Sequence, residues 1–200
     1  MSSFLELREQ ERYLELKEAE AAVRVVVVGV GGCGCNTINN LARMGLKNVT
    51  LVACNTDAAV LRRTKADKKV LLGPMTTKGR GAYGVPEIGR KAAEENVEDV
   101  LAAIGGNVDV VIGTAGMGGG TGTGALPVIM GEVRRRLRDA VAISVVTLPF
   151  SEEGEERIRN AQMGLQEVLE NSDMVIVNSN DILCLLYTSD AADELDGVDL

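Results

Sequence analysis

The sequence contains no histidine. Every mechanism that rests on imidazole is thereby excluded: Ser-His-Asp and Cys-His nucleophile activation, HExxH zinc hydrolysis and His-ligated metal centres. Nor is there any apolar run approaching the roughly 20 residues of a membrane-spanning helix, and the Glu- and Arg-rich N-terminus lacks the apolar stretch of a signal peptide. No direct membrane insertion is expected, and the expected location is cytoplasmic. Cysteine is sparse: positions 33, 35, 54 and 184 make one C-x-C and two singles, neither a zinc-ribbon spacing nor a secreted disulfide framework. Reduced thiols in packing or loop positions are expected. A basic surplus is missing as well, since 29 acids against 21 bases give a net charge of -8. No nucleic-acid partner is therefore expected, because phosphate neutralisation needs Lys and Arg in excess. The absence of G-x-x-x-x-G-K-[ST] removes the P-loop NTPases.

What remains is a 200-residue chain, 46% apolar, long enough for one domain with a real core. Residues 1–22 are dense in Glu, Arg and Leu, with Leu5, Leu7, Leu14 and Leu16 and no Gly or Pro, and predict a helical N-terminal extension. Residues 184–200 hold Asp190, Asp193, Glu194, Asp196 and Asp199 and no base, so the first 183 residues carry 24 acids against 21 bases. Most of the acidity sits in that tail.

Between these ends, short β-branched runs alternate with longer helical segments, and each junction carries Gly, Asn, Asp or Pro. Strands are expected at 24–28, 49–54, 69–72, 108–113, 141–148 and 174–178, and helices at 37–44, 58–61, 87–103, 123–136 and 155–170. The strands lack polar alternation, as strands covered on both faces do. The pattern predicts an α/β domain, a Rossmann-like parallel sheet with helices on both faces. The stretch 73–85, with four Gly and one Pro, is the longest irregular segment before the tail.

The first predicted strand runs into Gly29-Val30-Gly31-Gly32-Cys33-Gly34-Cys35-Asn36, a G-x-G-x-x-G at a strand-to-helix junction. Glycines there permit close backbone approach, and the helix that follows offers unpaired N–H groups and a positive dipole end to an anion. The second predicted strand ends in Asn55-Thr56-Asp57, with the acid 23 positions after Gly34. In a dinucleotide-binding fold that carboxylate meets a ribose hydroxyl; equally, it can N-cap a short helix starting at Ala58. These two features alone admit an NAD-dependent oxidoreductase, although no His or Lys/Tyr pair is placed to handle a proton. That reading leaves unexplained the run Gly118, Gly119, Gly120, Thr121, Gly122, Thr123, Gly124, in which five glycines and two threonines offer a row of N–H donors and two hydroxyls. Such a run can wrap a di- or triphosphate. No Lys stands in it, so charge compensation is expected from Mg2+ and backbone dipoles.

GGGTGTG after a buried strand, with an earlier GVGGxGxN turn, resembles the tubulin/FtsZ family of GTPases, and within it the FtsZ cell-division branch. Further stretches match in order: Asn55-Thr56-Asp57-Ala58 is similar to the second nucleotide loop, Thr77-Lys78-Gly79-Arg80-Gly81-Ala82 through Pro86-Glu87-Ile88-Gly89 to the third, and Val145-Val146-Thr147-Leu148-Pro149-Phe150 with Glu153, Gly154 and Arg157 to the ribose-side loop and helix. The likeness covers residues 23–183. It implies a GTP-binding domain in which Gly31, Gly32, Cys33, Gly34, Cys35 and Asn36 line the nucleotide, with Asp57 in the second loop. Gly118 to Gly124 would cradle the phosphates, Glu153 and Arg157 would sit at the ribose side, and Asn180 would approach guanine. Asn offers both a donor and an acceptor to a purine edge. Without the resemblance, Glu153 and Arg157 also read as an ordinary i,i+4 helix pair.

The same resemblance implies GTP or GDP with Mg2+ as ligands, a head-to-tail homopolymeric filament, division-ring proteins as partners of the full-length form and a midcell division site. It further implies that the family continues into a central helix and an acid-bearing loop that completes hydrolysis. Residues 184–200 match none of this and are expected to be non-native, so this chain is expected to bind nucleotide with negligible turnover and to expose an apolar sheet face. There are departures from the family pattern. Cys33 and Cys35 stand where Gly or Ala is usual, Tyr83 where Gly is usual, Val85 where Asp or Asn is usual, and Ser179 where Pro is usual. Tyr83 and Val85 are the hints toward a third reading, a non-hydrolysing relative.

Overall fold

The structure is a computed structural model that describes residues 23–182. The expected N-terminal helix and the 184–200 tail lie outside the described residues. The elements run β1 (Val25–Val30), α1 (Gly31–Met44), β2 (Val49–Asn55), α2 (Ala58–Arg63), β3 (Lys68–Leu71), α3 (Pro74–Thr77), α4 (Pro86–Ile104), β4 (Val110–Gly116), α5 (Thr121–Arg136), β5 (Val141–Leu148), a 3-10 turn (Ser151–Glu153), α6 (Glu155–Glu170) and β6 (Met174–Ser179). All six strands are parallel, in the order β3-β2-β1-β4-β5-β6. The chain starts in the middle of the sheet, winds out to β3, then crosses to β4 and winds out the other way. The order reverses between β1 and β4, and ligands of such sheets bind beyond the carboxyl ends of the strands at that point.

The near-continuous valines of β1 are explained by burial on both faces. Val26, Val28 and Val30 join Val52 and Cys54 beneath α4, α5 and α6, while Val27 joins Leu51 and Ala53 against Cys35 and Ile38 of α1 and Leu61 of α2. Each fully buried valine contributes roughly 1.5–2 kcal/mol of transfer free energy. Helix α5 is the most enclosed, with Gly122 to Pro127, Ile129, Met130 and Val133 all buried. Arg90 of α4 reaches past it to pair with Glu167 of α6.

Two helices start earlier than their glycines suggest. Helix α1 begins at Gly31 rather than at residue 37, and α5 at Thr121 rather than at 123. Glycine weighs against helix by about 1 kcal/mol per residue, but tertiary packing overrides propensity here. A Cβ on Gly34 would lie 2.6 Å from both the Gly29 carbonyl carbon and the Thr114 oxygen, so α1 approaches the sheet only because Gly34 has none. The stretch 73–85, expected to be irregular, contains α3 and is pinned down. Glu95 accepts hydrogen bonds from Met75 N (2.8 Å), Thr76 N (3.1 Å) and the Thr76 hydroxyl (2.8 Å). Asn96, where α4 kinks, accepts from Gly73 N at 2.8 Å. Tyr83 has φ 52°, the left-handed conformation that glycine adopts without cost, and its side chain is 69% exposed.

On the sheet face turned away from α6, Met174 and Ile176 of β6 lie beside Ile143 and Val145 of β5, and Met174 and Ile176 remain about half exposed. Among the described residues, no helix is long and apolar enough to cross a membrane.

Candidate functional site

A cleft of about 330 Å³ opens at the carboxyl ends of β1, β4 and β5, at the place where the strand order reverses. Val30 and Gly116 form its floor, with Thr147, Leu148 and Pro149 along one wall. The loop Gly116 to Gly122 and the first turn of α1, Gly32 and Cys33, form the rest, and Glu153, Arg157 and Asn180 complete the rim.

Two helix N-termini meet at this cleft. Neither α1 nor α5 has a side-chain cap, and neither carries an acid in its first turn. The unpaired N–H groups and positive dipole ends of both helices are therefore open to solvent or to an anion. The contrast within the same fold is α2, where Asp57 caps the helix by accepting from Ala59 N (2.8 Å) and Val60 N (3.0 Å). Asp57 thus caps α2 with Oδ1 alone.

The glycines divide into two groups. Added Cβ atoms on Gly32 and Gly119 would meet nothing within 4 Å, and both residues line the cleft, so their missing side chains are the open space of the site. Gly120, Gly122 and Gly124 serve packing instead: a Cβ would come within 2.8 Å of Ala82 O, 2.5 Å of Gly116 O and 1.9 Å of Pro86 O respectively. The 118–124 run thus partly borders the cleft and partly seats α4 and the 73–85 stretch against α5. Thr121 accepts or donates a 2.7 Å hydrogen bond to the Thr56 hydroxyl, which ties the β2–α2 turn to the start of α5. Gly81 N then donates to Thr56 O at 3.1 Å, and Asn160 of α6 reaches Gly84 O at 3.4 Å.

Glu153 uses one carboxylate oxygen to accept from Phe150 N at 2.8 Å and the other to pair with Arg157. Asn180 follows β6 directly, and Asp181 beside it accepts from Ser151 N at 3.1 Å, which fixes that segment to the 3-10 turn. Cys33 is accessible at the cleft and packs on Gly116; burial of its sulfur raises the thiol above its ordinary pKa, and the Thr147 hydroxyl opposes this more weakly.

Of the residues singled out from sequence, the structure brings Gly32, Cys33, Gly119, Gly120, Thr121, Gly122, Glu153, Arg157 and Asn180 to the cleft wall. Gly31, Gly34, Cys35, Asn36, Asp57, Gly118, Thr123 and Gly124 are not among its lining residues. Cys35 is fully buried and accepts from Asn55 at 3.5 Å, and Asn36 is exposed. Thr123 is buried and accepts from Gly118 N at 2.9 Å. Val30, Gly116, Met117, Thr147, Leu148 and Pro149 also line the cleft; the sequence had placed Thr147, Leu148 and Pro149 in the stretch similar to the ribose-side loop and Val30 in the first glycine turn, without naming any of the six as a site residue. Their common signal is position at the end of a strand beside the topological switch point. No cluster of three or more Cys, Asp or Glu side chains able to hold a metal occurs among the described residues.

An α/β domain whose switch-point cleft is walled by glycines and two uncapped helix N-termini is a phosphate-binding class of domain. The model of the "Tubulin/FtsZ family, GTPase domain" matches residues 24–187, and the chain belongs to that family. It is 46% identical over 171 residues to cell division protein FtsZ 1 of Thermococcus kodakarensis, covering 84% of this chain and 45% of the relative. With FtsZ 1 of Methanocaldococcus jannaschii it shares 44% identity over 179 residues, covering 90% and 48%. Among solved structures, an empty FtsZ dimer of M. jannaschii superposes with a TM-score of 0.83 at 43% identity, covering 89% of this chain and 51% of that one. A GTPγS-bound protofilament of CetZ2 from Haloferax volcanii gives 0.73 at 28% identity, covering 80% and 50%. The chain therefore spans about half the length of the relatives it matches. None of these matches supports the oxidoreductase reading.

Proposed function

We propose that this chain is the nucleotide-holding part of a self-polymerising GTPase of cell division, binding GTP and GDP in the cleft. One observation carries the reading: the uncapped, acid-free N-termini of α1 and α5 converge on one glycine-walled space. The phosphates would lie on the backbone N–H groups of Gly119 to Gly122 and at the start of α1, where Gly32 leaves room. Arg157 is the only basic residue of the lining, so most of the anion's stabilisation comes from backbone dipoles rather than from side-chain charge. The sugar would lie toward Glu153 and Pro149, and the base toward Asn180, whose amide can both donate and accept. Mg2+ would arrive on the nucleotide, held by phosphate oxygens and water, since the cleft offers hydroxyls and no carboxylate cluster.

Within this cleft the chain's residues bind and orient. Glu153 is the sole carboxylate of the lining and is already engaged by Phe150 N and Arg157, so no free base faces the site to position a water. Turnover then depends on groups from outside the described residues, and this chain alone hydrolyses negligibly. In the whole protein those groups come with head-to-tail contact, a heterologous interface that extends into filaments in the cytoplasm at the division site.

Titration calorimetry of the full chain with GDP, GTP, ATP and NAD, with and without Mg2+, tests the proposal. Guanine nucleotides should bind and NAD should not, with binding lost in Gly119→Val while circular dichroism is retained. Tighter binding of NAD than of GDP, or substantial protein-dependent GTP hydrolysis by this chain, would overturn it.

A further inference from the structure

The two hydroxyls that meet at 2.7 Å between the β2–α2 turn and the start of α5 are not equivalent. Thr56 is fully buried, and among the described residues its hydroxyl has no hydrogen-bond partner other than Thr121. Thr121 is only partly buried and lines the cleft, where solvent or a ligand can accept its proton. Each hydroxyl brings one proton, and only one of the two protons can lie on the line between the oxygens. If Thr121 donated, the Thr56 proton would be buried without an acceptor, which folded proteins avoid because the desolvated donor recovers nothing. If Thr56 donates, both protons are used: its own on Thr121, and that of Thr121 turned into the cleft. Burial therefore ranks two orientations that the distance alone leaves equal.

The backbone fixes Thr56 from both sides. Its carbonyl accepts from Gly81 N at 3.1 Å and from the Thr77 hydroxyl at 3.3 Å, so the 73–85 stretch holds it on one side. On the other, the Asn55 amide accepts from Asp57 N at 3.0 Å and donates to the Cys35 sulfur at 3.5 Å, which ties the end of β2 to α1. The Thr56 hydroxyl thus has a fixed place from which to donate. A hydroxyl that accepts a hydrogen bond is polarised and donates more strongly in turn. Thr121 is the first residue of α5 and borders the cleft with Gly119 and Gly120, so its proton adds a side-chain donor to the backbone N–H groups there.

We infer that Thr56 is a positioning residue of the cleft: without touching the nucleotide, it donates to Thr121 and so turns the Thr121 hydroxyl proton toward a phosphate oxygen of the bound ligand. The ligand in this statement rests on the nucleotide reading above; the direction of the hydrogen bond does not.

A double-mutant cycle in the full chain tests the inference. Thr121→Val strands the buried Thr56 proton, whereas Thr56→Val strands nothing, because Thr121 keeps its access to the cleft. In urea, Thr121→Val should be the least stable of the set, and adding Thr56→Val to it should restore stability. By calorimetry, Thr56→Val should weaken GDP binding about fivefold, and Thr56→Ser should return it to within about twofold of the wild type. In a Thr121→Val background, Thr56→Val should weaken GDP binding no further. Nuclear magnetic resonance of the threonine-labelled wild-type chain reads the same arrangement without a substitution: the Thr56 hydroxyl proton should exchange slowly with water even without nucleotide. Rapid exchange of that proton, a double variant no more stable than Thr121→Val, or wild-type GDP affinity in Thr56→Val overturns the inference and leaves the nucleotide reading standing. A wild-type chain that binds no GDP overturns both.

Discussion

The buried hydroxyl of Thr123 accepts a hydrogen bond from the backbone N–H of Gly118 at 2.9 Å, and this closes the glycine-rich turn onto the first turn of α5. The methyl of the same side chain faces Gly164 of α6, where an added Cβ would come within 2.4 Å of it. One residue therefore holds both the shape of the loop and the seat of α6. Thr123→Val keeps the shape but leaves a buried N–H without a partner, at a cost of about 1–3 kcal/mol. Thr123→Ser keeps the acceptor and costs about 1 kcal/mol for the lost methyl. Urea denaturation should rank the wild type above Ser above Val, and GDP affinity should fall in Val more than in Ser. Equal affinities in the two variants would separate the hydrogen bond from the cradle.

Two glycines of α1, two residues apart, should respond to alanine with opposite signs. Gly32→Ala places its methyl in open space and replaces glycine by the best helix former, so the melting temperature should hold or rise. The same methyl enters the cleft, and nucleotide affinity should drop about tenfold or more, equivalent to about 1.4 kcal/mol. Gly34→Ala drives a methyl into the Gly29 and Thr114 backbone at 2.6 Å and should destabilise by about 3 kcal/mol. Thermal melts with and without GDP read both effects. A Gly32→Ala protein that binds normally would remove the first turn of α1 from the site.

Acid should loosen the domain at two identifiable carboxylates. Asp109 is held down at about 2, from an ordinary 3.8, first by the Arg24 side chain and then by the Arg24 backbone N–H. Glu95 is lowered from 4.5, first by Met75 N and then by the Thr76 hydroxyl. Because both folded values are depressed, their stabilisation is full above the unfolded values and is lost as pH falls through the folded ones. The melting temperature should thus decline on acidification below about pH 4.5, and Asp109→Asn and Glu95→Gln should each flatten that decline. A decline with unchanged slope in both variants would assign acid sensitivity elsewhere.

The strands were legible in the sequence because a parallel sheet covered on both faces demands unbroken β-branched runs, and 24–28 or 141–148 have no other use. The helix starts at Gly31 and Thr121 were not, since glycine's local preference argues against helix and only the close approach of α1 and α5 to their neighbours reverses it. Asp57 carried two roles that sequence could not rank; the structure shows the capping one, made through Oδ1 alone. Val30 and Gly116 were silent as site residues because they carry no side-chain chemistry, and Leu148 and Pro149 were flagged only through the likeness of their stretch to the ribose-side loop. They line the site through where the strands end, a property of topology rather than of residue type.

Tyr83 bears the conformational strain of a loop whose neighbours Gly81 and Gly84 also take positive φ. A side chain in that region costs about 1–2 kcal/mol, of which glycine's larger unfolded-state entropy returns about half. With the ring 69% exposed there is little packing to lose, so Tyr83→Gly should raise stability by about 0.5 kcal/mol. Guanidinium denaturation decides it. A loss of more than about 1 kcal/mol would mean that the ring is held by contacts that outweigh the strain.

Cys33 allows occupancy of the cleft to be read chemically. Burial of its sulfur raises the thiol above its ordinary value, so the thiolate fraction at neutral pH is small and alkylation by iodoacetamide should be slow, quickening only as pH passes the usual thiol range of about 8.5. Cys35 and Cys54 are buried and should stay unmodified in the folded protein. Peptide mapping isolates the Cys33 product from any other. Saturating GDP should slow that product about tenfold or more, because a thiol lining the cleft lies under the bound anion and the added negative charge further disfavours thiolate. Cys33→Ala, smaller and without the thiol, should bind nucleotide and lose the protected product. Equal alkylation with and without GDP would place the nucleotide away from the β1–α1 turn and remove Cys33 from the site.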